Sequence, residues 1–259
     1  MSDIGRPRPT LSVVIPAFNE EGRLGRTLAH ACAVLQAAPW QAEVLVVIDG
    51  STDGTAALVA EAARERGPVP IRLLAEPANR GKGYCVRRGM LEARGDVRLF
   101  CDADLATPIE EALPFTEAVR SGADIVIASR RAAGAELRHR QPWLRALLGT
   151  AFSALVGRTL LPGITDSQCG FKAFSAGAAE TVFRRQQVDQ FCFDVEALVI
   201  ARRHGLRVVE RGVPWADGEG TRVRAVRDGA AMLADLVRIG WRLRRGDYDG
   251  PVDPPDSRR

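Results

Sequence analysis

The stretch Leu11-Ser12-Val13-Val14-Ile15-Pro16-Ala17-Phe18-Asn19-Glu20-Glu21 decides the fold, because an apolar run typical of a buried parallel strand passes directly into polar residues. The same arrangement occurs twice more. Residues 44–48 lead into Asp49-Gly50-Ser51-Thr52-Asp53-Gly54-Thr55, and residues 97–101 lead into Asp102-Ala103-Asp104. In an open α/β sheet, ligands bind beyond the carboxyl ends of the strands. The three motifs therefore predict a nucleotide and metal site at one edge of the sheet.

Strand and helix patterns alternate through the first half of the chain, which predicts an α/β fold with a mostly parallel, doubly wound sheet flanked by helices. Asn19 is the expected N-cap of the first helix, and Thr107-Pro108-Ile109-Glu110 reads as a capping box that opens a later one. The predicted helices cover residues 20–37, 53–66, 82–93, 107–121, 143–161, 193–204 and 225–245. The further predicted strands cover residues 71–75, 124–129 and 207–213, with a short strand after the loop that begins at residue 165.

The chain has 259 residues, 46% of them hydrophobic, which suits one large α/β domain with a small extension. We expect a flexible N-terminus at residues 1–10 and the domain at 11–222. An amphipathic helix should follow at 223–245 and a disordered tail at 246–259, where there is little to bury.

The net charge of +4 indicates an anionic ligand or an acidic membrane surface. Nucleic acid is not expected, because no basic run is interleaved with aromatic residues. The five cysteines form no CxxC pair, which favours buried thiols in a reducing cytosol. Residues 1–10 are polar, so they do not resemble a signal peptide, and no apolar stretch is long enough to span a membrane. A cytoplasmic protein is therefore expected.

Asp102 and Asp104 are the strongest candidates for a metal site. Two carboxylates at positions i and i+2 of an extended chain point the same way, so both can approach one cation. Oxygen ligands of this kind suit Mg²⁺ or Mn²⁺, especially when a diphosphate completes the shell. Asp247-Tyr248-Asp249 has the same spacing but follows no buried strand, and we regard it as a chance match.

Two further segments suggest phosphate and nucleotide contacts. Asp49 and Ser51 can accept from or donate to a base or ribose, although they can equally form a turn that caps the next helix. In Arg80-Gly81-Lys82-Gly83 the glycines allow the backbone to approach a phosphate at a helix N-terminus. Lys82 and Lys172 are the only lysines among 36 basic residues, and each is flanked by glycine or a polar loop. No Walker A or GxGxxG pattern is present, which argues against a nicotinamide enzyme.

The loop Asp166-Ser167-Gln168-Cys169-Gly170-Phe171-Lys172 is polar amid apolar sequence and is a candidate for holding an acceptor. Asp194 and Glu196 begin a helix, where acidic residues are favoured by the helix dipole in any case. If the acceptor were a hydroxyl, Asp166 or Asp194 would be the candidate general base.

Together these motifs, with Ser129-Arg130 and Phe193-Asp194-Val195-Glu196, resemble those of family 2 inverting glycosyltransferases with the GT-A fold. The chain looks most like the dolichyl-phosphate (polyprenyl-phosphate) β-glucosyltransferases. Matching segments cover about residues 11–225. The QCGFK-type loop and the FDVE segment point to the polyprenyl-phosphate glucosyl branch.

The resemblance implies roles by position. The nucleotide-sugar site would consist of Pro16, Ala17, Asn19, Glu20, Asp49, Ser51, Arg80, Gly81, Lys82, Asp102, Ala103, Asp104 and Arg130. Asp102 and Asp104 would hold the metal, and Gln168, Lys172 and Arg222 would contact the acceptor phosphate. The catalytic residues would be Asp104, Asp166, Asp194 and Lys172.

Two positions depart from the family pattern. The family usually has two acids before Gly-Ser, but Ile48 precedes Asp49 here, which puts one base or ribose contact in doubt. Related mannosyl enzymes often have Gln at the position of Ala106, so the mannosyl reading is weakened.

The working hypothesis is metal-assisted, inverting transfer of glucose from UDP-glucose to a polyprenyl phosphate. Residues 143–161 and 225–245 would lie in the membrane interface, or pack on the core or on a second subunit. The localisation would be cytoplasmic, peripheral at the inner face of the membrane. The alternatives are a soluble hydroxyl acceptor, a GDP-mannose-dependent mannosyltransferase, a nucleotidyltransferase and a non-catalytic nucleotide-sugar binding protein.

Overall fold

The computed structural model describes residues 9–65, 67–137, 143–216 and 225–250. Most of the predicted flexible N-terminus (1–8), the candidate phosphate ligand Arg222 and residues 251–259 lie outside this part of the chain.

A seven-stranded sheet forms the centre of the molecule, in the order β3-β2-β1-β4-β7-β5-β8. A two-stranded parallel sheet of β6 and β9 lies apart from it. The strands are β1 (Leu11–Ala17), β2 (Ala42–Asp49), β3 (Ile71–Glu76), β4 (Val97–Cys101), β5 (Ile125–Ser129), β6 (Glu136–Leu137), β7 (Phe171–Ser175), β8 (Val208–Gly212) and β9 (Pro214–Trp215).

Four strand pairs of the large sheet are parallel, namely β1–β2, β1–β4, β2–β3 and β5–β8. Every residue of β2, β4 and β5 is buried, as expected for strands covered by helices on both faces. The apolar side chains divide into two core clusters. The predicted mostly parallel α/β fold is confirmed, and β4 has the predicted bounds.

Strand β7 is the one antiparallel element of the large sheet, inserted between β4 and β5. Cys101 of β4 pairs with Phe171 of β7. This register brings the loop before β7 to the edge where β4 ends at Asp102. The insertion therefore joins the predicted acceptor loop to the predicted metal site.

The helices are α1 (Glu21–Gln36), α2 (Thr55–Arg64), α3 (Lys82–Glu92), α4 (Ala112–Arg120), α5 (Trp143–Thr159), α6 (Ala176–Phe183), α7 (Phe193–Arg203) and α8 (Ala225–Arg245), with a 3₁₀ turn at Ile109–Glu111. Helix α6 was not predicted. Its local signal is Ser175, whose hydroxyl accepts from the backbone N–H of Ala178 at 3.2 Å, as an N-cap does.

Two capping predictions are wrong. Asn19 does not cap α1: it has a φ of +51°, and its side chain accepts from the N–H of Thr52 across the sheet edge. The predicted capping box at Thr107 does not form, because the Thr107 hydroxyl is buried against the Cys169 sulfur at 3.6 Å. The chain instead passes through the 3₁₀ turn before α4 begins.

The predicted disordered tail is wrong for residues 246–250, which pack on the domain. Tyr248 is 1% exposed, and Asp249 pairs with Arg203 at 2.6 Å. The rest of that prediction falls on residues outside the described ones.

Helix α8 has the predicted bounds and carries apolar residues on two faces. Leu236 and Ile239 are buried, whereas Leu233, Val237 and Trp241 are exposed. Among the described helices, none is both long and apolar enough to cross a membrane.

Candidate active site

The loops after β1 and β2 are tied together at the carboxyl edge of the sheet. The Asn19 side chain accepts from Thr52 N–H at 2.8 Å, and the Ser51 hydroxyl accepts from Asn19 N–H at 2.9 Å. Glu20 N–H donates to the Thr55 hydroxyl at 2.8 Å. The structure therefore brings these predicted site residues together, with Asn19 and Ser51 shaping the loops.

Asp49, at the end of β2, is committed to the Arg80–Gly83 turn. Its carboxylate is 4% exposed and accepts from the backbone N–H of Arg80 at 2.6 Å and of Gly81 at 3.0 Å. Both carboxylate oxygens thus accept hydrogen bonds from this turn, which gives Asp49 a structural role. It does not cap the helix that follows it, whose N-cap is Gly54. A base or ribose contact by Asp49 stays a prediction.

Lys82 begins α3 and reaches the metal motif. Its ammonium lies 2.5 Å from a carboxylate oxygen of Asp102, and both side chains remain partly exposed. Burial lowers the pKa of Lys82, but the negative charges of Asp102 and Asp194 outweigh it and raise the pKa overall. The lysine is therefore a permanent cation next to the candidate metal ligands.

Asp104 lies in a site with excess negative charge. Burial raises its pKa, and the neighbouring charge of Asp102 raises it further. A divalent cation relieves this kind of repulsion between two carboxylates. Among the described residues no group of three or more His, Cys, Asp or Glu side chains is gathered for a metal. Asp102 and Asp104 thus fit a cation that takes its other ligands from diphosphate and water.

The loop before β7 closes on Asp102 from the other side. The N–H of Asp102 donates to the Gly170 carbonyl at 3.2 Å, and a Cβ on Gly170 would collide with the Asp102 carboxylate. The Ser167 hydroxyl and the Gln168 amide nitrogen are buried and have no hydrogen-bond partner within the described ranges. Unpaired buried polar groups are costly, so they mark a place where a ligand can bind. Ser167 was not singled out from the sequence, since only burial reveals it.

The prediction that Asp166 acts as a general base is contradicted by its contacts. Its carboxylate is buried and receives two bonds from the Arg130 guanidinium, at 2.7 and 2.8 Å. Burial alone would raise its pKa, but the Arg130 hydrogen bonds and charge lower the pKa to about 2. Such a carboxylate is too weak a base for catalysis near neutral pH. A phosphate contact by Arg130 stays a prediction.

The predictions that Lys172 contacts the acceptor phosphate and that Asp194 acts as a base are also contradicted. Lys172 is fully buried, and its ammonium donates to Asp194 and, at 2.6 Å, to the Cys169 carbonyl. Asp194 is 4% exposed. Neither group is presented to a ligand. The pair lies beneath the Cys169–Gly170 backbone that faces Asp102.

The remaining predicted residues lie around the same edge. Pro16 and Ala17 end β1, and the Ala103 carbonyl accepts from the Thr27 hydroxyl at 2.7 Å. Arg80 stacks on the ring of Tyr84 at 3.7 Å. Arg222 lies outside the described residues.

The comparisons with known proteins agree with this architecture. The profile described as Glycosyl transferase family 2 matches residues 12–183. A dolichyl-phosphate beta-glucosyltransferase of Trichomonas vaginalis is 35% identical over 244 residues, which are 90% of this chain and 74% of that protein. The Homo sapiens protein of the same name is 33% identical over 253 residues, 93% of this chain and 78% of its own.

Among solved structures, the glucosyl-3-phosphoglycerate synthase of Mycobacterium tuberculosis superposes with a TM-score of 0.60. The match covers 96% of this chain and 82% of that one at 18% identity, and that crystal holds Mn²⁺, UDP and glucosyl-3-phosphoglycerate. At this identity the likeness shows the fold.

Replacing Lys172 by methionine should strongly destabilise the protein, because it leaves the buried Asp194 carboxylate without its cation. Breaking one partner of a buried pair costs about 3–5 kcal/mol in free energy of unfolding. Urea denaturation of Lys172→Met measures this loss. Lys82→Met is the matched control, since its more exposed pair should cost much less. Equal losses in the two variants would contradict the burial argument.

The Asp166–Arg130 pair predicts a specific acid sensitivity. Because folding lowers the Asp166 pKa from 3.8 to about 2, its stabilisation, about 2 kcal/mol, is complete well above the unfolded pKa and is lost as the pH falls toward about 2. The unfolding free energy of the wild type should therefore fall more steeply than that of Asp166→Asn between pH 6 and pH 3. Parallel pH curves for the two proteins would show that the pair does not titrate this way.

Proposed function

The chain belongs to glycosyl transferase family 2, and we propose that it transfers glucose from UDP-glucose to the phosphate of dolichol or a related polyprenol. The observation that carries the proposal is the edge cluster of Lys82, Asp102 and Asp104 in a chain of this family. Relatives that match about 90% of the chain bear the name dolichyl-phosphate beta-glucosyltransferase, which supports the glucosyl donor and the lipid phosphate acceptor.

The donor nucleotide would lie against the tied loops after β1 and β2, with its diphosphate near Lys82. The N-terminus of α3 favours negative charge, and the Lys82 ammonium adds a full positive one. Lys82 is already held at Asp102, so the cation is positioned before the substrate arrives. Positioned cations of this kind stabilise the charge that develops on a leaving diphosphate.

A divalent cation, Mg²⁺ or Mn²⁺, would be held by Asp102 and Asp104. When bound, it neutralises charge on the departing diphosphate. Burial and the charge of Asp102 raise the pKa of Asp104, which supports a cation at this position.

The reaction proposed is a single displacement. An oxygen of the acceptor phosphate bonds to the anomeric carbon as the bond from that carbon to the β-phosphate oxygen of UDP breaks, which inverts the anomeric configuration. A phosphate monoester is already ionised near neutral pH, so a strong general base is unnecessary. This agrees with the contacts of Asp166 and Asp194, which are committed to Arg130 and Lys172.

The acceptor side would involve the Ser167 hydroxyl and the Gln168 amide, which are buried and unpaired among the described residues. Arg222 remains a proposed phosphate ligand from the family pattern. Ser167 and Gln168 both lie on the loop that closes on Asp102.

We place the enzyme at the cytoplasmic face of a membrane, in contact with the lipid surface through α5 and α8. Leu233, Val237 and Trp241 form an exposed apolar stripe at four-residue spacing, and Arg245 stacks on Trp241 at 4.3 Å. Exposed Leu147, Leu148 and Leu155 add to it from α5. An apolar stripe flanked by arginines suits an anionic interface. The five free thiols support a reducing compartment.

With radiolabelled UDP-glucose, polyprenyl phosphate and Mg²⁺, the purified protein should form a labelled product that partitions into organic solvent. Asp104→Asn should lower this rate about 100-fold or more, since it weakens the metal site. The matched control is Glu65→Gln, which removes the charge of an exposed carboxylate at the C-terminal end of α2 and should keep near-native activity.

The donor panel in the same assay separates the alternatives. Preference for GDP-mannose would identify a mannosyltransferase, and a water-soluble product would identify a soluble acceptor. Pyrophosphate release from UTP and a sugar phosphate would identify a nucleotidyltransferase, whereas donor binding without turnover would identify a binding protein. A near-native rate in Asp104→Asn would overturn the metal assignment.

Flotation with phosphatidylserine-containing vesicles tests the lipid contact. The double variant Val237→Glu, Trp241→Glu should reduce the bound fraction about tenfold, because it places two charges on the apolar stripe that would enter the membrane interface. Leu137→Glu, at an exposed leucine of β6, is the control and should bind like the wild type. If the wild type does not float and light scattering shows a dimer, the face belongs instead to a homo-oligomer.

A further inference from the structure

The C-terminal segment, residues 246–250, joins the end of α8 to the ends of α6 and α7. The Tyr248 carbonyl accepts from the Arg185 side chain at 3.0 Å and lies 2.9 Å from a ring nitrogen of His204. The Asp249 carboxylate pairs with Arg203. The Tyr248 side chain is buried and points its hydroxyl to the carboxylate of Glu196 at 2.8 Å.

Glu196 is a fully buried carboxylate on α7 that gathers four donors. One oxygen accepts from the Tyr248 hydroxyl and from Arg242 of α8, at 2.8 and 3.3 Å. The other accepts from the backbone N–H groups of Gln187 and Val188, at 2.8 and 2.7 Å. A buried carboxylate persists only where its acceptors are satisfied in this way. Glu196 therefore connects α8 and the C-terminal segment to the loop at 186–190.

The 186–190 loop packs directly under the turn that carries Lys82. The Gln186 side chain donates to the Gly83 carbonyl at 2.9 Å, and the Asp189 carbonyl accepts from Tyr84 N–H at 3.1 Å. The Gln190 side chain donates to the Arg80 carbonyl at 3.3 Å. The loop has no helix or strand of its own, so its shape depends on such bonds. They include the bonds to Glu196 and those from Arg87 to the Gln186 carbonyl and the Asp189 carboxylate.

The Gly81–Gly83 turn and the 186–190 loop lie so close together that there is no space between them for a side chain at Gly81 or Gly83. Gly81 has a φ of +110°, and a Cβ there would collide with the Asp189 carbonyl. A Cβ on Gly83 would lie 2.5 Å from the Val188 carbonyl. Because the two backbones are in contact and joined by hydrogen bonds, we expect a shift of the 186–190 backbone to disturb the Gly81–Gly83 backbone and the base of the Lys82 side chain.

We propose that Glu196 is a positioning residue for the donor site: it holds the 186–190 loop in the shape that sets the Gly81–Lys82 turn, and the C-terminal segment holds Glu196. The assignment rests on the proposed function of Lys82 and Asp102 in binding the nucleotide sugar. It also connects α8, the helix proposed to lie on the membrane, to donor binding through Arg242 and Tyr248.

The test compares Glu196→Gln and Tyr248→Phe in the full chain with Glu180→Gln. Glu180 is a partly exposed carboxylate on α6 that pairs with Arg98 and Arg184 and does not contact the 186–190 loop. The KM for UDP-glucose should rise about tenfold in Glu196→Gln and about threefold in Tyr248→Phe, with the KM for polyprenyl phosphate changed less than twofold. Glu180→Gln should keep both constants near the wild-type values.

Amide hydrogen exchange gives a readout that does not depend on turnover. Exchange in residues 80–85 and 186–190 should be faster in both test variants and unchanged in Glu180→Gln. Two results would overturn the proposal and show that Glu196 only stabilises the fold. One is unchanged exchange at residues 80–85 in both test variants. The other is a KM for UDP-glucose that stays within twofold of the wild-type value while the midpoint of urea unfolding falls. If the two variants show this exchange pattern but the wild type transfers no glucose, the proposed function is refuted, whereas the coupling between Glu196 and the turn still holds. Tyr248→Phe, which removes one hydroxyl, keeps the test valid if Glu196→Gln folds poorly.

Discussion

The geometry of the site depends on one buried carboxylate, that of Asp49, which accepts from the backbone N–H groups of Arg80 and Gly81. These bonds join the end of β2 to a turn that comes thirty residues later in the chain. Because the turn is fixed there, α3 starts at Lys82 and the ammonium reaches Asp102 at the end of β4. The position of the proposed phosphate-binding cation is thus determined by a side chain that bonds to the two residues before Lys82.

Other buried carboxylates of the molecule also accept hydrogen bonds from donors within the protein. Asp166 is held by Arg130, Asp194 by Lys172 and Glu196 by two backbone N–H groups and Tyr248. A buried charge without a partner costs several kcal/mol, about 3–5 when one member of a pair is lost. Such carboxylates hold the backbone of the site in place. Asp102 and Asp104 differ because their mutual repulsion is only partly compensated by Lys82. This uncompensated charge distinguishes the two acids that we propose to bind the metal from the structural ones.

The sequence predicted the fold well where the signal is local. Continuous apolar runs identified β1, β2 and β4, and the amphipathic period identified α8 with its observed bounds. It also identified the acids, lysines and loops that meet at the sheet edge. It could not assign partners, because pairs such as Lys172–Asp194 and Asp166–Arg130 join residues that are 22 and 36 positions apart. Roles inferred from residue type and from the family resemblance therefore assigned substrate contacts to three groups that are buried, Asp166, Lys172 and Asp194. The antiparallel insertion of β7 and the burial of Tyr248 likewise depend on tertiary contacts that leave no periodic pattern.

The loops where we propose the donor binds and the loop where we propose the acceptor binds differ in how their polar groups are satisfied. The loops after β1, β2 and β3, where we propose the donor binds, are cross-linked by hydrogen bonds from backbone N–H groups to side-chain oxygens, so they have a defined shape without ligand. The loop proposed to hold the acceptor retains buried groups at Ser167 and Gln168 without a hydrogen-bond partner among the described residues, and a bound ligand or ordered water can satisfy such groups. Helix α8 packs one face on the core and leaves an apolar stripe exposed on the other, and an exposed stripe of this kind marks a surface that contacts a partner or a membrane. Both features fit the acceptor that we propose, because a phosphate attached to a long apolar lipid would satisfy the polar groups and cover the apolar face.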